Sequence, residues 1–325
     1  MLNNRHLTLV INPIAGTLTK DGVSEWVPRK LEAMGYSVET RLTAGPGDAT
    51  RIAAEAAARG DYGVLACGGD GTINEVARAL IGTHTALGIL PAGSGNGLAR
   101  HIGIPIDVER SLAVIEADNV AACDYGTVNG HPFFCTFGVG FDAAVSRRFA
   151  QKGRRGFTTY IQSAIDEFIK YRSDTYQIIC NDQVITDRAF MVAVCNASQY
   201  GNNAFVAPAA SIRDGMLDVT IVHDSNVFSH MISGIELFAG SLGYSSSVKI
   251  IRTPRLTIKR SQAGPAHLDG ESVDMPAELH INCEHKQLRI FITRGKPRFR
   301  PVLTPMAMTF NDWAIALQRP FRKNK

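Results

Sequence analysis

Two glycine-rich turns, each placed between a strand-like apolar run and a helical pattern, constrain the fold of this chain more than any other feature. The first, GGDGTINE, spans residues 68–75 and follows the apolar run 62–67. The second, PAGSGNG, spans residues 91–97 and follows the apolar run 86–90. Successive strand, turn and helix units form largely parallel sheets covered by helices. The sequence therefore predicts an α/β fold with both turns at the same end of one sheet.

Both turns have the properties of a phosphate-binding site. Glycine lets the backbone approach a ligand closely and point successive N–H groups into one concavity, and a following helix N-terminus adds partial positive charge. Neither turn contains the common dinucleotide or P-loop motif. One turn carries a carboxylate, Asp70, and the other carries Ser94 and Asn96. We interpret the pair as a site for a phosphorylated ligand rather than as chain geometry alone.

The pattern of strands and helices divides the chain into two predicted domains. Residues 1–122 are expected to form a doubly wound, mostly parallel α/β domain, and residues 123–302 an antiparallel β-sandwich-like domain. One helix, over residues 157–171, interrupts the second domain. The amphipathic tail 303–325 either contacts lipid or packs back on the first domain. Strands of the second domain are predicted at residues 133–137, 176–180, 190–195, 216–222, 248–252, 256–258, 279–283 and 288–292.

Helix ends in the first domain have recognisable signals. Asp48 is expected to cap an alanine-rich helix that Gly60 closes. Thr72 and Glu75 have the spacing of a capping box at the start of the helix after the first glycine turn.

Charge and cysteine content indicate which partners and which compartment suit the chain. The formal net charge is only +4, but basic residues cluster at 147–155 and from 286 onward. Such clusters form a solvated face or a surface for anionic lipid or nucleic acid, and composition does not choose between them. The six cysteines form no C-x-x-C pair and are predicted to be small buried side chains in a reducing, cytoplasmic compartment. No stretch reaches the length of a transmembrane span, so membrane contact is expected to be peripheral.

Five motifs stand in an order typical of one enzyme family. They are NPIAG at 12–16, the two glycine turns, DGMLD at 214–218 and DGE at 269–271. In these motifs the chain resembles the diacylglycerol kinase and sphingosine kinase family of lipid kinases, particularly its soluble bacterial members, over about residues 6–300. The resemblance implies that residues 1–122 bind the nucleotide and that residues 123–302 bind the lipid substrate. The active site would lie in the cleft between the two domains, with ATP and Mg²⁺ as cofactors.

The resemblance also implies which residues contact ATP. They are Asn12, Pro13, Ile14, Ala15, Gly16, Thr43, Gly68, Gly69, Asp70, Gly71, Thr72, Asn74, Glu75, Ser94, Gly95 and Asn96. Backbone N–H groups and Mg²⁺ suit phosphoryl transfer, which depends on positioning and charge neutralisation. Two of these residues also have structural explanations: Glu75 as half of a capping box, and Asn12 as a turn former before proline.

Three carboxylates are predicted to be catalytic: Asp70, Asp269 and Glu271. Asp70 is expected to face phosphate through a metal ion, or to act as the base, as relatives of the sphingosine kinase type suggest. Asp269-Gly270 is also the sequence of a hairpin tip. The family match implies instead that this loop reaches the cleft, and that Glu271 or Asp269 accepts the proton of the lipid hydroxyl.

The resemblance implies a magnesium loop at Ser211, Asp214 and Met216, two of which would bind through backbone oxygens. Asp124 fits an acidic position that links this ion to the active site. Asp214-Gly215 is equally a plain turn sequence. The chain departs from diacylglycerol-kinase-like members at Gly97, where those members usually carry Asp. That departure makes the second turn more similar to the sphingosine kinase branch.

The leading hypothesis is an ATP- and Mg²⁺-dependent kinase that phosphorylates a hydroxyl of diacylglycerol or of a sphingoid base. Its expected partners are the lipid substrate and, transiently, an anionic membrane surface; nucleic acid is not expected, and a homodimer is compatible with the sequence. One alternative is a soluble-substrate kinase of the NAD kinase or phosphofructokinase type, since these also use a GGDG turn. A second is a non-catalytic nucleotide- or lipid-binding regulator.

Overall fold

The structure, a computed structural model, describes residues 5–16, 22–152, 157–168 and 170–295. Its first half alternates strands with helices. The elements are β1 (His6–Ile11), α1 (Val23–Ala33), β2 (Ser37–Leu42), α2 (Asp48–Arg59), β3 (Gly63–Gly68), α3 (Asp70–Leu80), β4 (Ala86–Pro91), α4 (Gly97–His101) and α5 (Val108–Glu116).

The first four strands form a parallel sheet in the order β2, β1, β3, β4. Its central strands β3 and β4 are buried at every position, which is expected of a sheet covered on both faces. Helices α2 and α3 pack together, and α1 packs with α5. The predicted mostly parallel α/β domain is confirmed.

The second half is dominated by antiparallel strands, as predicted. Its elements are β5 (Val120–Val128), β6 (His131–Phe133), β7 (Thr136–Gly140), α6 (Phe141–Gln151), α7 (Phe157–Phe168), β8 (Asp174–Cys180), β9 (Gln183–Cys195), β10 (Leu217–His223), α8 (Val227–Ala239), β11 (Val248–Thr253), β12 (Arg255–Arg260), β13 (Gly264–Leu268), β14 (Glu271–Met275) and β15 (Glu278–Phe291). Neighbouring strands run in the order β14, β13, β7, β9, β8, β12, β15, and β10 pairs with β9 and β11. A second apolar core lies between these strands.

The two strands predicted at 279–283 and 288–292 are wrong as separate elements, because a single strand, β15, covers both. The polar stretch between them changes the pairing with β5, whose register shifts between Glu284 and Leu288. Lys286 takes a positive φ of 54° there, as at a β-bulge. A local irregularity therefore replaces the predicted break.

β15 connects the two halves of the molecule. Its first residues pair with β12, and its end pairs in parallel with β4, where Ile290 faces Leu87. Leu288, Ile290 and Phe291 are consequently buried in the core of the first sheet. The boundary at residue 122 stays a prediction, but the last residues of β15 belong structurally to the first half.

Several predicted features have a different outcome or lie outside the described residues. Helix α7 ends at Phe168, earlier than predicted, and the sequence did not identify α6 or α8. All six cysteines are free, and five are buried, as expected. Within the described ranges, no helix has the length and apolar character needed to cross a bilayer. Some predicted features lie outside the described residues: the tail 303–325, Arg154 and Arg155, and the basic residues after 295.

Candidate active site

Three turns meet at the end of the parallel sheet where β1, β3 and β4 finish. The turn at residues 12–16 contacts the second glycine turn, since a Cβ atom at Gly16 would lie 2.1 Å from the carbonyl oxygen of Ala92. The two glycine turns are equally close, because a Cβ at Gly93 would lie 2.5 Å from the Cα of Gly69. Side chains at these positions would force the turns apart. The sequence prediction that these segments converge agrees with this geometry.

Asp70 fastens the first glycine turn to the second. It is the first residue of α3, and its Oδ2 accepts a hydrogen bond from the Asn96 N–H at 2.8 Å. Its Oδ1 accepts another from the Gly97 N–H at 2.7 Å. Burial raises the pKa of the Asp70 carboxyl, and the two N–H donors act in the opposite direction. The carboxylate thus holds the two glycine turns together, a role that the sequence did not predict for it.

Gly97 has a steric reason to be glycine. A Cβ atom there would lie 3.0 Å from the carbonyl oxygen of Tyr200, which belongs to the second half of the chain. An aspartate at this position would displace that segment and would place a second acid beside Asp70. Glycine rather than aspartate at position 97 therefore allows the residues around Tyr200 to pack closely on the second turn.

Asn12 joins the first turn to α3. Its Nδ2 donates to Thr72 Oγ1 at 3.1 Å, and its Oδ1 accepts from the Ile14 N–H at 3.2 Å. Thr43, just after β2, donates its N–H to the Ile11 carbonyl at 2.9 Å and so lies at the same edge of the sheet. Ser94 is exposed at the tip of the second turn. The predicted ATP contacts are thus gathered in one region.

The predicted capping box of Thr72 and Glu75 is wrong. Helix α3 begins at Asp70, three residues earlier than such a box requires, and no side chain caps it. Glu75 instead reaches the neighbouring helix, where its Oε2 accepts from the N–H groups of Gly47 at 3.0 Å and Ala49 at 3.2 Å. The uncapped start of α3 leaves a helix N-terminus facing the turns, which favours an anion.

The cap predicted at Asp48 is also wrong, while Gly60 closes α2 as expected. Gly47 is the N-cap of α2, and Asp48 is its first residue. The Asp48 carboxylate accepts instead from the Ala44 N–H at 2.7 Å, which fixes the loop before the helix. Gly60 takes the left-handed conformation typical of a helix C-terminus.

Asp269 holds the hairpin between β13 and β14 in place. Its Oδ1 accepts from the N–H groups of Cys135 at 2.7 Å and Thr136 at 2.9 Å, and its Oδ2 accepts from that of Phe134 at 2.9 Å. Burial raises the pKa of the Asp269 carboxyl, and the three donors act against this shift. The side chain is fully engaged with the backbone. Asp269 therefore positions the hairpin, which fits a proton acceptor less well than a free carboxylate does.

Glu271 extends from this hairpin toward the first glycine turn. A Cβ atom at Gly71 would lie 3.7 Å from Glu271 Oε1, so the carboxylate stands directly beside the start of α3. Its side chain is 57% exposed, and Arg78 Nη2 lies 3.8 Å from Oε2. No backbone donor occupies it among the described residues. Of the three predicted acids, Glu271 has the carboxylate best placed to accept a proton beside the phosphate-binding turns.

Asp124 supports the loop that was predicted to bind magnesium. Its buried carboxylate accepts from the N–H groups of Gly215 at 2.7 Å and Lys286 at 2.8 Å, and His285 Nδ1 lies 2.8 Å from it. In the loop itself, Asp214 Oδ1 accepts from the Met216 N–H at 3.1 Å, and its Oδ2 pairs with Arg252. Internal donors thus satisfy both carboxylates.

These hydrogen bonds hold the loop in shape. Within the described ranges, no group of three or more His, Cys, Asp or Glu residues is arranged to hold a metal. The assignment of Ser211, Asp214, Met216 and Asp124 to magnesium stays a prediction.

Sequence reasoning missed a buried polar network beneath the hairpin. His267 Nε2 lies 3.0 Å from Asp142 Oδ2, which also accepts from the Tyr200 hydroxyl at 2.9 Å. His267 Nδ1 accepts from the Gly270 N–H at 3.3 Å. A histidine and an aspartate more than a hundred positions apart give no local signal, apart from the place of His267 beside the DGE motif. The network connects the hairpin tip to the segment that packs on Gly97.

Two arginines near the turns were also missed. Arg78, on α3, is the cation beside Glu271, and its Nε is buried without a hydrogen-bond partner within the described residues. Arg100 donates from Nε to the Gly95 carbonyl at 2.9 Å and so braces the second turn. Arginines beside an anion-binding site add charge-assisted hydrogen bonds to phosphate.

Both halves of the chain match models of known protein families. Residues 6–128 match the diacylglycerol kinase catalytic domain, and residues 135–292 match the YegS C-terminal NAD kinase beta sandwich-like domain. A “Probable lipid kinase YegS-like” protein of Chromohalobacter salexigens is 30% identical over 293 residues, covering 88% of this chain and 90% of that protein. Another, from Pseudomonas syringae pv. tomato, is 30% identical over 268 residues, covering 81% and 86%.

Solved structures share the fold. A diacylglycerol kinase from Bacillus anthracis aligns with a TM-score of 0.70 at 19% identity, covering 91% of this chain and 100% of that one. An NAD kinase from Archaeoglobus fulgidus, solved in complex with ATP, aligns with a TM-score of 0.52 at 12% identity, covering 90% and 96%.

Proposed function

The chain belongs to the YegS-like family of lipid kinases with a diacylglycerol kinase catalytic domain, and on this basis we propose that it transfers the γ-phosphate of ATP to a lipid hydroxyl. The transfer takes place between the glycine turns and the hairpin of β13 and β14. The observation that carries the proposal is the position of Glu271 beside Gly71, because it brings a free carboxylate from one half of the chain to the phosphate-binding turns of the other.

The glycine turns hold the nucleotide phosphates in this proposal. The uncapped N-terminus of α3 and the backbone N–H groups of the turns supply partial positive charge. Asp70 keeps the two turns at a fixed separation through its bonds to Asn96 and Gly97. Arg78 lies on the same side and neutralises charge on the transferred phosphate.

Glu271 accepts the proton of the attacking lipid hydroxyl. A general base must lie within hydrogen-bond reach of that proton, and the exposed Glu271 side chain can approach a hydroxyl placed next to the turns. Asp269 fixes the hairpin through three backbone bonds and thereby sets where Glu271 lies. The buried pair of His267 and Asp142 supports the same hairpin from below.

Magnesium, when bound with the nucleotide, neutralises phosphate charge. Mg²⁺ is commonly held by one or two carboxylates together with substrate phosphates. Asp70 lies in the first glycine turn and would hold the ion together with the phosphates, because each of its oxygens accepts one N–H bond and keeps a second lone pair.

The acceptor is a diacylglycerol or a sphingoid base. Such lipids stay partly in the bilayer, so the enzyme works as a cytoplasmic protein that associates peripherally with the membrane. The similarity of the second turn to the sphingosine kinase branch, through Gly97, favours testing both lipids.

One experiment separates this function from its alternatives. Purified protein with Mg²⁺ and γ-labelled ATP is offered diacylglycerol, ceramide, sphingosine, NAD and fructose 6-phosphate in separate reactions. We expect label in an organic-solvent-extractable lipid and none in NADP or a sugar phosphate. Label that appears only in a water-soluble product would contradict the lipid acceptor, and ATP binding without any transfer would support a regulator.

A further inference from the structure

The outward side of α8 is an exposed apolar surface. Val227, Phe228, Met231 and Ile235 fall on one side of the helix, where positions one, four and eight residues apart lie together. Phe228 is 72% exposed and Met231 57%. Tyr244, in the short helical turn after α8, is exposed as well. We call these five side chains the α8 face.

The α8 face is not needed to attach the helix to the protein. The opposite side of α8 already packs inward, where His230 stacks on the Phe190 ring with 4.0 Å between centroids and Ser233 and Ala239 are buried. Helix caps also stabilise α8, with Asn226 accepting from the Ser229 N–H at its start and Gly240 closing its end. Contiguous apolar side chains left in water on a well-anchored helix mark an interaction surface.

Acidic groups near the α8 face are already neutralised or turned inward. Asp224, just before the helix, is paired with Arg188 at 3.2 Å and accepts from the Ser173 hydroxyl at 2.5 Å. Glu236 is the one acidic residue in α8, and its Oε2 is buried. Among the described residues, the α8 face therefore presents no free negative charge to a partner.

Two basic residues lie near the start of α8. Lys170 and Arg172 are exposed and form no ion pair within the described ranges. Arg172 directly precedes Ser173, whose hydroxyl donates to Asp224 just before α8. An apolar helix face beside unpaired cations complements an anionic lipid surface.

The α8 face is also connected to the active site. The Phe205 N–H donates to the Leu237 carbonyl at 2.8 Å, which fixes the end of α8 to the segment 200–205. In that segment the Asn202 N–H donates to the Gly95 carbonyl of the second glycine turn at 3.3 Å. Backbone hydrogen bonds of the segment 200–205 thus connect α8 to the second glycine turn.

We propose that the α8 face docks on the surface of an anionic lipid bilayer, with Phe228 and Met231 inserted at the boundary between headgroups and acyl chains. Docking there presents bilayer lipid to the cleft without a membrane-spanning segment. This inference rests on the proposed function, because it takes the phosphate acceptor to be a lipid held in a membrane.

Vesicle co-sedimentation of the full chain tests the inference. The probe is vesicles of phosphatidylglycerol and phosphatidylcholine, compared with vesicles of phosphatidylcholine alone. Phe228→Ser with Met231→Ser should lower the partition coefficient by roughly tenfold or more, because two apolar side chains no longer insert. Lys170→Glu with Arg172→Glu should lower binding to the anionic vesicles by roughly fivefold per residue at low salt, and by less at high salt.

The matched control is Val184→Ser with Ile106→Ser, which removes two exposed apolar side chains from other elements. It should bind vesicles as the wild-type chain does. Because all these side chains are exposed, every variant should keep the wild-type thermal midpoint, which is measured alongside.

Parallel assays separate failure of docking from failure of the proposed function. Variants are assayed on a short-chain lipid dispersed in detergent and on the same lipid in vesicles. Docking is supported if the Phe228→Ser, Met231→Ser variant loses activity on vesicles but keeps it on the detergent-dispersed lipid, while the Val184→Ser, Ile106→Ser control keeps both. Unchanged vesicle binding by that variant overturns it, and a dimer of the wild type that the variant loses would identify the α8 face as a subunit interface instead. Vesicle binding through α8 without phosphorylation of any lipid would leave docking standing and contradict the proposed acceptor.

Discussion

The carboxylate of Glu271 stands beside Gly71, at the start of α3, although the two residues come from different halves of the chain. A Cβ atom at Gly71 would be 3.7 Å from Glu271 Oε1. The first glycine turn and the carboxylate of the hairpin, which the proposed mechanism uses together, thereby lie side by side.

Removing the charge of Glu271 should abolish most turnover. In Glu271→Gln we expect kcat to fall by about 10²–10⁴, the usual contribution of a general base. The affinity for ATP should change little, because the glycine turns are intact. Labelled phosphate transfer and nucleotide binding are the two measurements. The control is Glu278→Gln, an exposed glutamate on β15, and a Glu271→Gln enzyme as fast as the control would remove Glu271 from the mechanism.

Replacing Asp269 should affect stability as well as rate. The Asp269 carboxylate now accepts three N–H bonds with two oxygens, whereas the amide of an asparagine would offer one acceptor oxygen. Asp269→Asn therefore leaves a buried donor unpaired. We expect the free energy of unfolding, measured by denaturant titration, to fall by about 1–3 kcal/mol. Glu271→Gln should show no such loss. Equal stability of the Asp269 variant and the wild type would show that these bonds do not hold the hairpin.

The contact between the glycine turns should control nucleotide affinity. In Gly93→Ala the new Cβ meets the Cα of Gly69 at 2.5 Å, so the turns must separate. We expect ATP binding to weaken by roughly tenfold or more, since a misplaced cradle loses several phosphate contacts. Gly234→Ala is the control, because its Cβ meets no atom within 4 Å in α8. Calorimetric titration with ATP is the measurement, and matching affinities would contradict the close packing.

His101 should make the protein sensitive to mild acid. Burial lowers the pKa of His101 from 6.5 to about 4, and its Nδ1 accepts from the Ser198 N–H at 3.0 Å. The unfolded chain therefore binds a proton at a higher pH than the folded chain does. The stability from neutral His101 is fully present above pH 6.5 and is lost as pH falls toward 4, by up to about 3 kcal/mol.

The comparison for His101 is His101→Asn, which keeps an acceptor near Nδ1 but does not titrate. The thermal midpoint of the wild type should fall more steeply than that of the variant between about pH 7 and about pH 4.5. Parallel curves for the two proteins would assign the acid sensitivity to other groups.

The elements that the sequence predicts well are those with local signals. The apolar runs before each glycine turn give strands β3 and β4 because both are buried on two faces, and the DGE motif locates the hairpin of Glu271. The roles of Asp70 and Asp269 could not be predicted in the same way. Each carboxylate is bound by N–H groups of a segment distant along the chain, and only the packed fold brings those donors close.

The predictions of helix ends and strand breaks were wrong for a related reason. Glu75 has the spacing of a capping box but binds α2, because the neighbouring helix start lies nearer than its own. The polar stretch within β15 resembles a turn, yet pairing with β5 and β12 on its two sides keeps the strand continuous.

The continuity of β15 limits how the cleft can open. A strand that is hydrogen-bonded to both halves opposes their separation as bodies on a flexible linker, so any opening would proceed by bending. The pairing of β15 with β5 becomes irregular between Glu284 and Leu288. That stretch also carries the Lys286 N–H that binds Asp124. Bending at this point would change the angle between the glycine turns and Glu271 from a site remote from both.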